Sequence, residues 1–177
     1  MSTTSLRAPS QCPTASTTLF YKARISGYFV TGVTVIAVAS EERRSGVAAM
    51  TASAVCPVSL APLLLLFCVR NESSFLPHLK QSRTFSVNIL SSSQDAVSRY
   101  YGGQAHRGTI GTWDLSAASA PVLDGANATF VCHVTNLQEL GGHHVVVGEV
   151  VDMYSIDPPV PALIYAAGKY LGVELDS

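Results

Sequence analysis

Short β-branched and apolar runs, each closed by a turn, recur through this chain, and that recurrence limits its fold more than any other feature. Residues 33–39, 63–69 and 85–90 have the composition and length of strands, and residues 128–134, 145–154 and 162–166 repeat the pattern. The intervals between them hold polar or Gly-rich turns, such as residues 40–46 and Gly141-Gly142, and a kinked link framed by Pro57 and Pro62. A parallel pair needs a crossover of a dozen or more residues, usually helical, and most of these intervals offer none. The pattern predicts about six or seven strands with two or three short helices. It favours a closed antiparallel barrel with one core over a parallel sheet.

Helical signals are few. Residues 19–29 place Leu19, Phe20, Ala23, Ile25 and Phe29 near one side, which predicts an amphipathic helix ended by Thr31-Gly32. Residues 71–74 read as the cap of a short helix to about residue 81, and Ser91-Ser92-Ser93 as the cap of another over 94–101. Residues 102–114 are Gly-rich and read as a mobile surface loop. The first 18 residues, rich in Ser, Thr and Pro, read as a disordered tail, which leaves 19–177 as one domain.

Charge excludes several functions. Of the 177 residues, 13% are charged against 47% hydrophobic, about half the roughly 25% usual for soluble domains, and an oligomer interface is the simplest cover for so uncharged a surface. The net charge is -1 and only Arg43-Arg44 places two basic residues side by side, so the electrostatic term that carries nucleic-acid affinity is missing. The most apolar run, 63–69, is closed by Pro62 and Arg70, far short of the ~20 residues a spanning helix needs. Arg7 has no apolar segment behind it, and Cys12, Cys56, Cys68 and Cys132 lie far apart, which predicts a cytoplasmic protein with reduced thiols.

Reactive side chains are sparse. There is no Ser-nucleophile elbow, zincin motif, phosphate-binding loop or dinucleotide fingerprint. Cys132-His133 and His143-His144 could approach across a hairpin, but neighbours on a strand point to opposite faces, so at most two ligands would meet where zinc needs three or four. They read as a buried thiol and a polar turn. Asp114, Asp124 and Glu149 read as turn or surface residues, not as an acid–base pair. Chemistry on such a chain is borrowed from a cofactor. Residues 47–55, mostly Ala, Ser and Thr, would let a flat molecule lie close to the backbone. The hydroxyls of Thr51, Ser53 and Ser59 need hydrogen-bond partners, which either a ligand or the backbone could supply.

Several motifs fall in one order and spacing. They are Gly32 to Ile36, Met50-Thr51-Ala52-Ser53 with Val58-Ser59-Leu60 and Pro62, Phe67-Cys68-Val69 with Ser73-Ser74, and Phe85 to Leu90 with Gln94. Leu123 to Ala126, the turn Gly141 to His143 before Gly148-Glu149-Val150, and Pro161 to Tyr165 with Tyr170 continue the series. Over residues 19–172 this resembles the flavin reductase components of two-component flavin-dependent monooxygenases. The resemblance implies a mainly β, FMN-binding split β-barrel, antiparallel and Greek-key-like, with a few short flanking helices, assembled as a homodimer. It implies an NADH-dependent oxidoreductase, with NADPH as the other donor, that reduces free FAD or FMN and supplies reduced flavin to a partner monooxygenase. An electron-transfer protein holding FMN as a prosthetic group is the alternative, and a scaffold subunit without cofactor chemistry is a third.

Site residues carried over on the same resemblance are Val33, Thr34, Met50, Thr51, Ala52, Ser53, Ser59, Cys68, Val69, Ser74, Phe85, Val87, Asn88 and Tyr170 for flavin, with Ser74 near phosphate. His143 is carried over as the residue beside the nicotinamide. An alternating strand buries one face whatever it binds, so Val33, Val69, Phe85 and Val87 read equally as core, and His143 reads also as a solvated turn residue. Ala49, Ala61 and Gly142 stand where the family has Gly, an acid and an acid. Gly142 removes a carboxylate that could orient His143 or raise its pKa.

Overall fold

The computed structural model describes residues 25–104, 110–116 and 119–175. The expected tail, most of the helix expected over 19–29 and part of the Gly-rich loop lie outside the described residues. Twelve strands are described: β1 (Thr31–Gly32), β2 (Thr34–Ala39), β3 (Val47–Ala52), β4 (Val55–Leu60), β5 (Leu63–Arg70), β6 (Thr84–Ile89), β7 (Trp113–Asp114), β8 (Val122–Leu123), β9 (Ala128–Leu140), β10 (His143–Ser155), β11 (Ala162–Ala166) and β12 (Lys169–Val173). Two helices, α1 (Leu76–Ser82) and α2 (Asp95–Tyr101), accompany them.

Seven strands form one antiparallel sheet in the order β3-β2-β6-β9-β10-β5-β4. The expected closure into a barrel is not made by hydrogen bonds, because β3 and β4 are the two ends of that order. Only Ser53-Ala54 separate these strands, so the sheet curls until both edges meet at one seam. Pro57 explains why β4 stays an edge: it has no N–H to give a second partner, and a bulge between Pro57 and Ser59 interrupts the ladder. The segment read as a kinked link between Pro57 and Pro62 is therefore a strand. Thr31-Gly32, read as a break, pairs with β11 in a small sheet of order β1-β11-β12.

Two apolar clusters are buried, not the single core expected. Ile36, Val38, Phe67, Val69, Phe85, Val87, Cys132 and Val146 fill the inside of the curl, with Leu76 and Leu79 of α1. Val33, Val35, Leu90, Val97, Ile110, Leu123 and Leu163 form the second cluster. Both exist because β2 is buried on both faces, as its unbroken apolar run allows.

Helix α1 departs from its expected start. Its N-cap position is Phe75, with no side-chain cap, and Ser73 Oγ only accepts the Phe75 N–H at 3.3 Å. Asn71 is engaged elsewhere. The cap expected for α2 serves instead a single 3-10 turn (Ser92–Gln94), where Gln94 Oε1 accepts the Ser91 N–H at 3.1 Å, and α2 itself begins after Gln94 without a side-chain cap.

The interior turns on Gly148. A Cβ there would clash with Phe85 Cζ and lie 3.0 Å from Cys132 Cβ. Its absence lets the Phe85 ring lie against β10 and meet Phe67 edge-on, with centroids 5.2 Å apart. The β9–β10 ladder shifts register at Val147/Gly148 and again at Val150/Asp152, which adds twist where the sheet curls. Replacing Gly148 by Ala is expected to destabilise the fold by about 1–3 kcal/mol, the range for overpacking a filled core. Urea unfolding followed by circular dichroism checks this, and an unchanged midpoint would show that Phe85 moves aside freely.

Candidate active-site cleft along the edge of the sheet

The free edge of β3 borders a cleft of about 620 Å³, lined by Ala49 to Ala54, Cys68, Arg70, Glu72 to Phe75, Tyr101 to Gly103 and His143. An edge strand turns every second N–H and C=O away from its only partner, so this wall offers backbone donors and acceptors as well as small side chains. The volume falls within the roughly 300–1,000 Å³ usual for small-molecule sites. Tyr101 is half-buried in the wall, and its hydroxyl accepts from Trp113 Nε1 at 2.9 Å while burial pushes its pKa up.

Of the residues expected for flavin, the cleft brings together Met50, Thr51, Ala52, Ser53, Cys68 and Ser74, and it adds His143. Thr51 Oγ1 is already committed, donating to Ser98 O of α2 at 2.6 Å, and so is Thr34 Oγ1, which donates to Ala52 O at 2.8 Å. These bonds hold β3 from both sides. Tyr170 and Val33 lie in an adjoining branch of about 250 Å³ that shares Thr51, Ser53 and Gly102 with the cleft. There Tyr170 Oη is 2.8 Å from Ser98 Oγ, and the Arg99 guanidinium lies 4.7 Å from the Tyr170 ring centroid.

Other expected contacts sit elsewhere. The side chains of Val69, Phe85 and Val87 pack in the interior of the curl, and Ser59 lies on β4, where its Oγ accepts the Ala61 N–H at 3.3 Å. Asn88 is fully buried, and its amide is spent within the fold. Its Nδ2 donates to Val35 O and Ser86 Oγ at 3.0 Å each, and its Oδ1 accepts from the Leu123 N–H and Thr129 Oγ1 at 2.9 Å each.

Two neighbours of the cleft escaped the sequence reading. Arg70 stands directly opposite His143 in the β5–β10 ladder, so both side chains leave the same face, with Cys68 two residues along. Its only sequence signal was its place at the end of an apolar run. Asn71 clamps the turn that carries His143. Its backbone N–H donates to Gly142 O at 3.0 Å, its Nδ2 to Gly141 O at 3.2 Å and Glu139 Oε1 at 2.7 Å, and its Oδ1 lies 2.8 Å from His144 Nδ1. Nothing in the sequence pairs residue 71 with residues seventy positions on.

The three described cysteines separate by burial. Cys56 and Cys68 are exposed, whereas Cys132 is fully buried and burial pushes its thiol up to about 12. Iodoacetamide at pH 8 is expected to label Cys56 and Cys68 in the folded protein and Cys132 only after unfolding, as read by peptide mass mapping. A neutral Cys132 also favours the fold below its ordinary pKa of 9.0, and that contribution fades as pH rises from there towards about 12.

Residues 26–174 match the family described as Flavin reductase like domain. An FMN reductase (NADH) RutF of Stutzerimonas stutzeri is 33% identical over 132 residues, covering 73% of this chain and 75% of the relative. An NADH-dependent FAD reductase of Streptomyces globisporus is 29% identical over 153 residues, covering 83% and 81%. The crystal structure of a nitrilotriacetate monooxygenase component B homolog from Mycobacterium thermoresistibile superposes with a TM-score of 0.81 at 29% identity, covering 90% of this chain and 88% of the other. With nearly its whole described length matched, and with a curled antiparallel sheet whose edge strand opens onto a small-residue cleft, the chain belongs to the flavin reductase like family.

Proposed function

We propose that this protein is an NADH-dependent flavin reductase that binds free FMN or FAD, reduces it, and releases it to a separate flavin-dependent monooxygenase. The observation that carries the reading is the cleft on the free edge of β3, walled by Ala49 to Ala54 and faced by Arg70 and His143. Hydride transfer between the dihydronicotinamide and isoalloxazine rings is chemistry that the two ligands supply themselves. The chain has to hold two flat rings face to face and keep water from between them, which needs no nucleophile and no acid–base pair.

The residues fit that task. Thr51 to Ser53 offer a flat wall with backbone groups for the ring edge, and their small side chains leave room for stacking. Ser73 and Ser74 sit further along the wall, suited to the first phosphate. Arg70 and His143 close the opposite side, with His143 beside the nicotinamide. Asn71 is a positioning residue: it fixes the turn that a carboxylate would otherwise brace, since Gly142 bears none. Ser53, Ser74 and His143 are exposed, so the cleft is open to solvent. That openness supports flavin as an exchanging substrate over flavin as a permanently held group.

Steady-state NADH oxidation at 340 nm is expected to saturate with added FMN or FAD and to be near background without either. Copurification of a tightly held flavin, with no dependence on free flavin, would replace the reductase by an electron carrier. Replacing His143 by Ala is expected to lower kcat/KM for NADH about tenfold, mostly through KM. Asn71→Ala is expected to raise the same KM with kcat nearly unchanged. A loss confined to thermal stability would reduce Asn71 to a structural role.

The assembly we propose is a homodimer working in the cytoplasm, where NADH and reduced thiols are kept. Exposed Leu60, at 84%, and Val58, at 53%, on β4 form an apolar edge, and Val151 and Met153 of β10 form another. Multi-angle light scattering is expected to give twice the 18.7 kDa chain mass, and Leu60→Glu to shift it towards the monomer. A wild-type monomer at micromolar concentration would overturn the dimer.

A further inference from the structure

The cleft has a second lobe. It measures about 590 Å³ and shares Ala49, Ser74, Phe75, Tyr101 and Gly103 with the first, so the two open into each other at Ser74. Its far wall is the β2–β3 turn, which presents Arg43 and Arg44, and its near wall carries Tyr100 and Trp113. Among the described residues no Asp or Glu lines it. Among the described residues neither guanidinium has an ion-pair partner, although Glu41 and Glu42 stand next to them in the chain. The Glu42 carboxylate is instead 3.9 Å from the His78 ring, towards α1. The only adjacent pair of basic residues in a chain of net charge -1 thus stands at the rim of a pocket with aromatic walls.

That combination suits one chemistry. Guanidinium groups match phosphate oxygens with paired donors, and aromatic rings offer faces on which a purine stacks whatever its hydrogen-bonding edge. Tyr100, Tyr101 and Trp113 already meet edge-on, with centroids 4.9 Å and 5.8 Å apart, which braces the rings. Resting on the flavin reductase reading of the first lobe, we propose that this second lobe binds the adenylate half of FAD, with Arg43 and Arg44 on its phosphates, and that the protein discriminates in favour of FAD over FMN. The isoalloxazine and ribityl chain occupy the first lobe, the first phosphate passes Ser74, and the second phosphate and adenosine continue past Arg43 and Arg44. FMN ends at the junction.

The adenylate half of NADH has the same chemistry, and the test separates the two sources. The wild-type protein and an Arg43→Gln/Arg44→Gln variant are titrated with FAD and with FMN by flavin fluorescence, and NADH oxidation is measured with each flavin. The expected result is a wild-type preference for FAD, and a fall of about tenfold or more in the FAD-to-FMN ratio of affinities and of kcat/KM in the variant. Adenosine 5'-monophosphate is expected to compete with FAD and not with FMN. An unchanged ratio overturns the proposal. So does a rise in KM for NADH of equal size with both flavins, or competition of adenosine 5'-monophosphate with NADH alone, since either gives the lobe to the nicotinamide dinucleotide. The binding titration reads flavin selectivity even if neither flavin is turned over, so failure of the reductase reading and failure of this one remain distinct.

Discussion

A missing methyl group at Gly148 sets the curvature on which the cleft depends. Phe85 lies where that group would be, and the ladder around it is bulged twice, so β10 twists sharply while keeping both of its partners. The curl carries the two ends of a seven-stranded sheet round until two residues span the gap between them. A flatter sheet would separate β3 from β5 and the β9–β10 turn, and Met50, Cys68 and His143 would no longer face one volume. Packing inside the sheet thereby determines a binding surface outside it.

Buried polar groups hold the same arrangement from the other face. Asn88, fully buried, joins β2, β6, β8 and β9 through four hydrogen bonds. Removing one partner of such a network costs roughly 1–3 kcal/mol for each group left unpaired. Thr34 and Thr51 extend the principle to β3, one hydroxyl reaching within the sheet and the other across to α2. Along β3 the wall's one hydroxyl, on Thr51, is used structurally, so what this strand offers a ligand is mainly backbone and shape. Such a wall suits a molecule that brings its own reactivity.

The expectation of strands joined by turns held wherever the signal was local. The runs at 33–39, 63–69 and 85–90 became β2, β5 and β6 within a residue at each end, and Ser91 and Gln94 formed the capping box their spacing required, at the 3-10 turn that leads into α2. Expectations failed where a distant partner decided the outcome. Pro57 marks a break by propensity, yet β5 holds its segment as an edge strand. Residues 71–74 carry capping chemistry, but Asn71 is drawn to a turn that closes beside it only in the folded chain. Thr31-Gly32 found a partner in β11, more than a hundred residues away.

The same division runs through the site. The stretch of small residues at 47–55, the poverty of acid–base pairs and the order of the motifs are properties of the chain itself, and they fix the kind of chemistry it can do. Alternation in a strand says that one face is buried without saying which residues of a motif meet the ligand. Only the folded sheet assigned Val69, Phe85, Val87 and Asn88 to the interior and left Met50 to Ser53, Cys68 and Ser74 on the cleft. The pairing of His143 with Arg70, and of the Arg43-Arg44 turn with Tyr100 and Trp113, likewise required tertiary structure. Composition and periodicity act over a few neighbouring residues, whereas a binding site is made of contacts between segments that the chain order keeps apart.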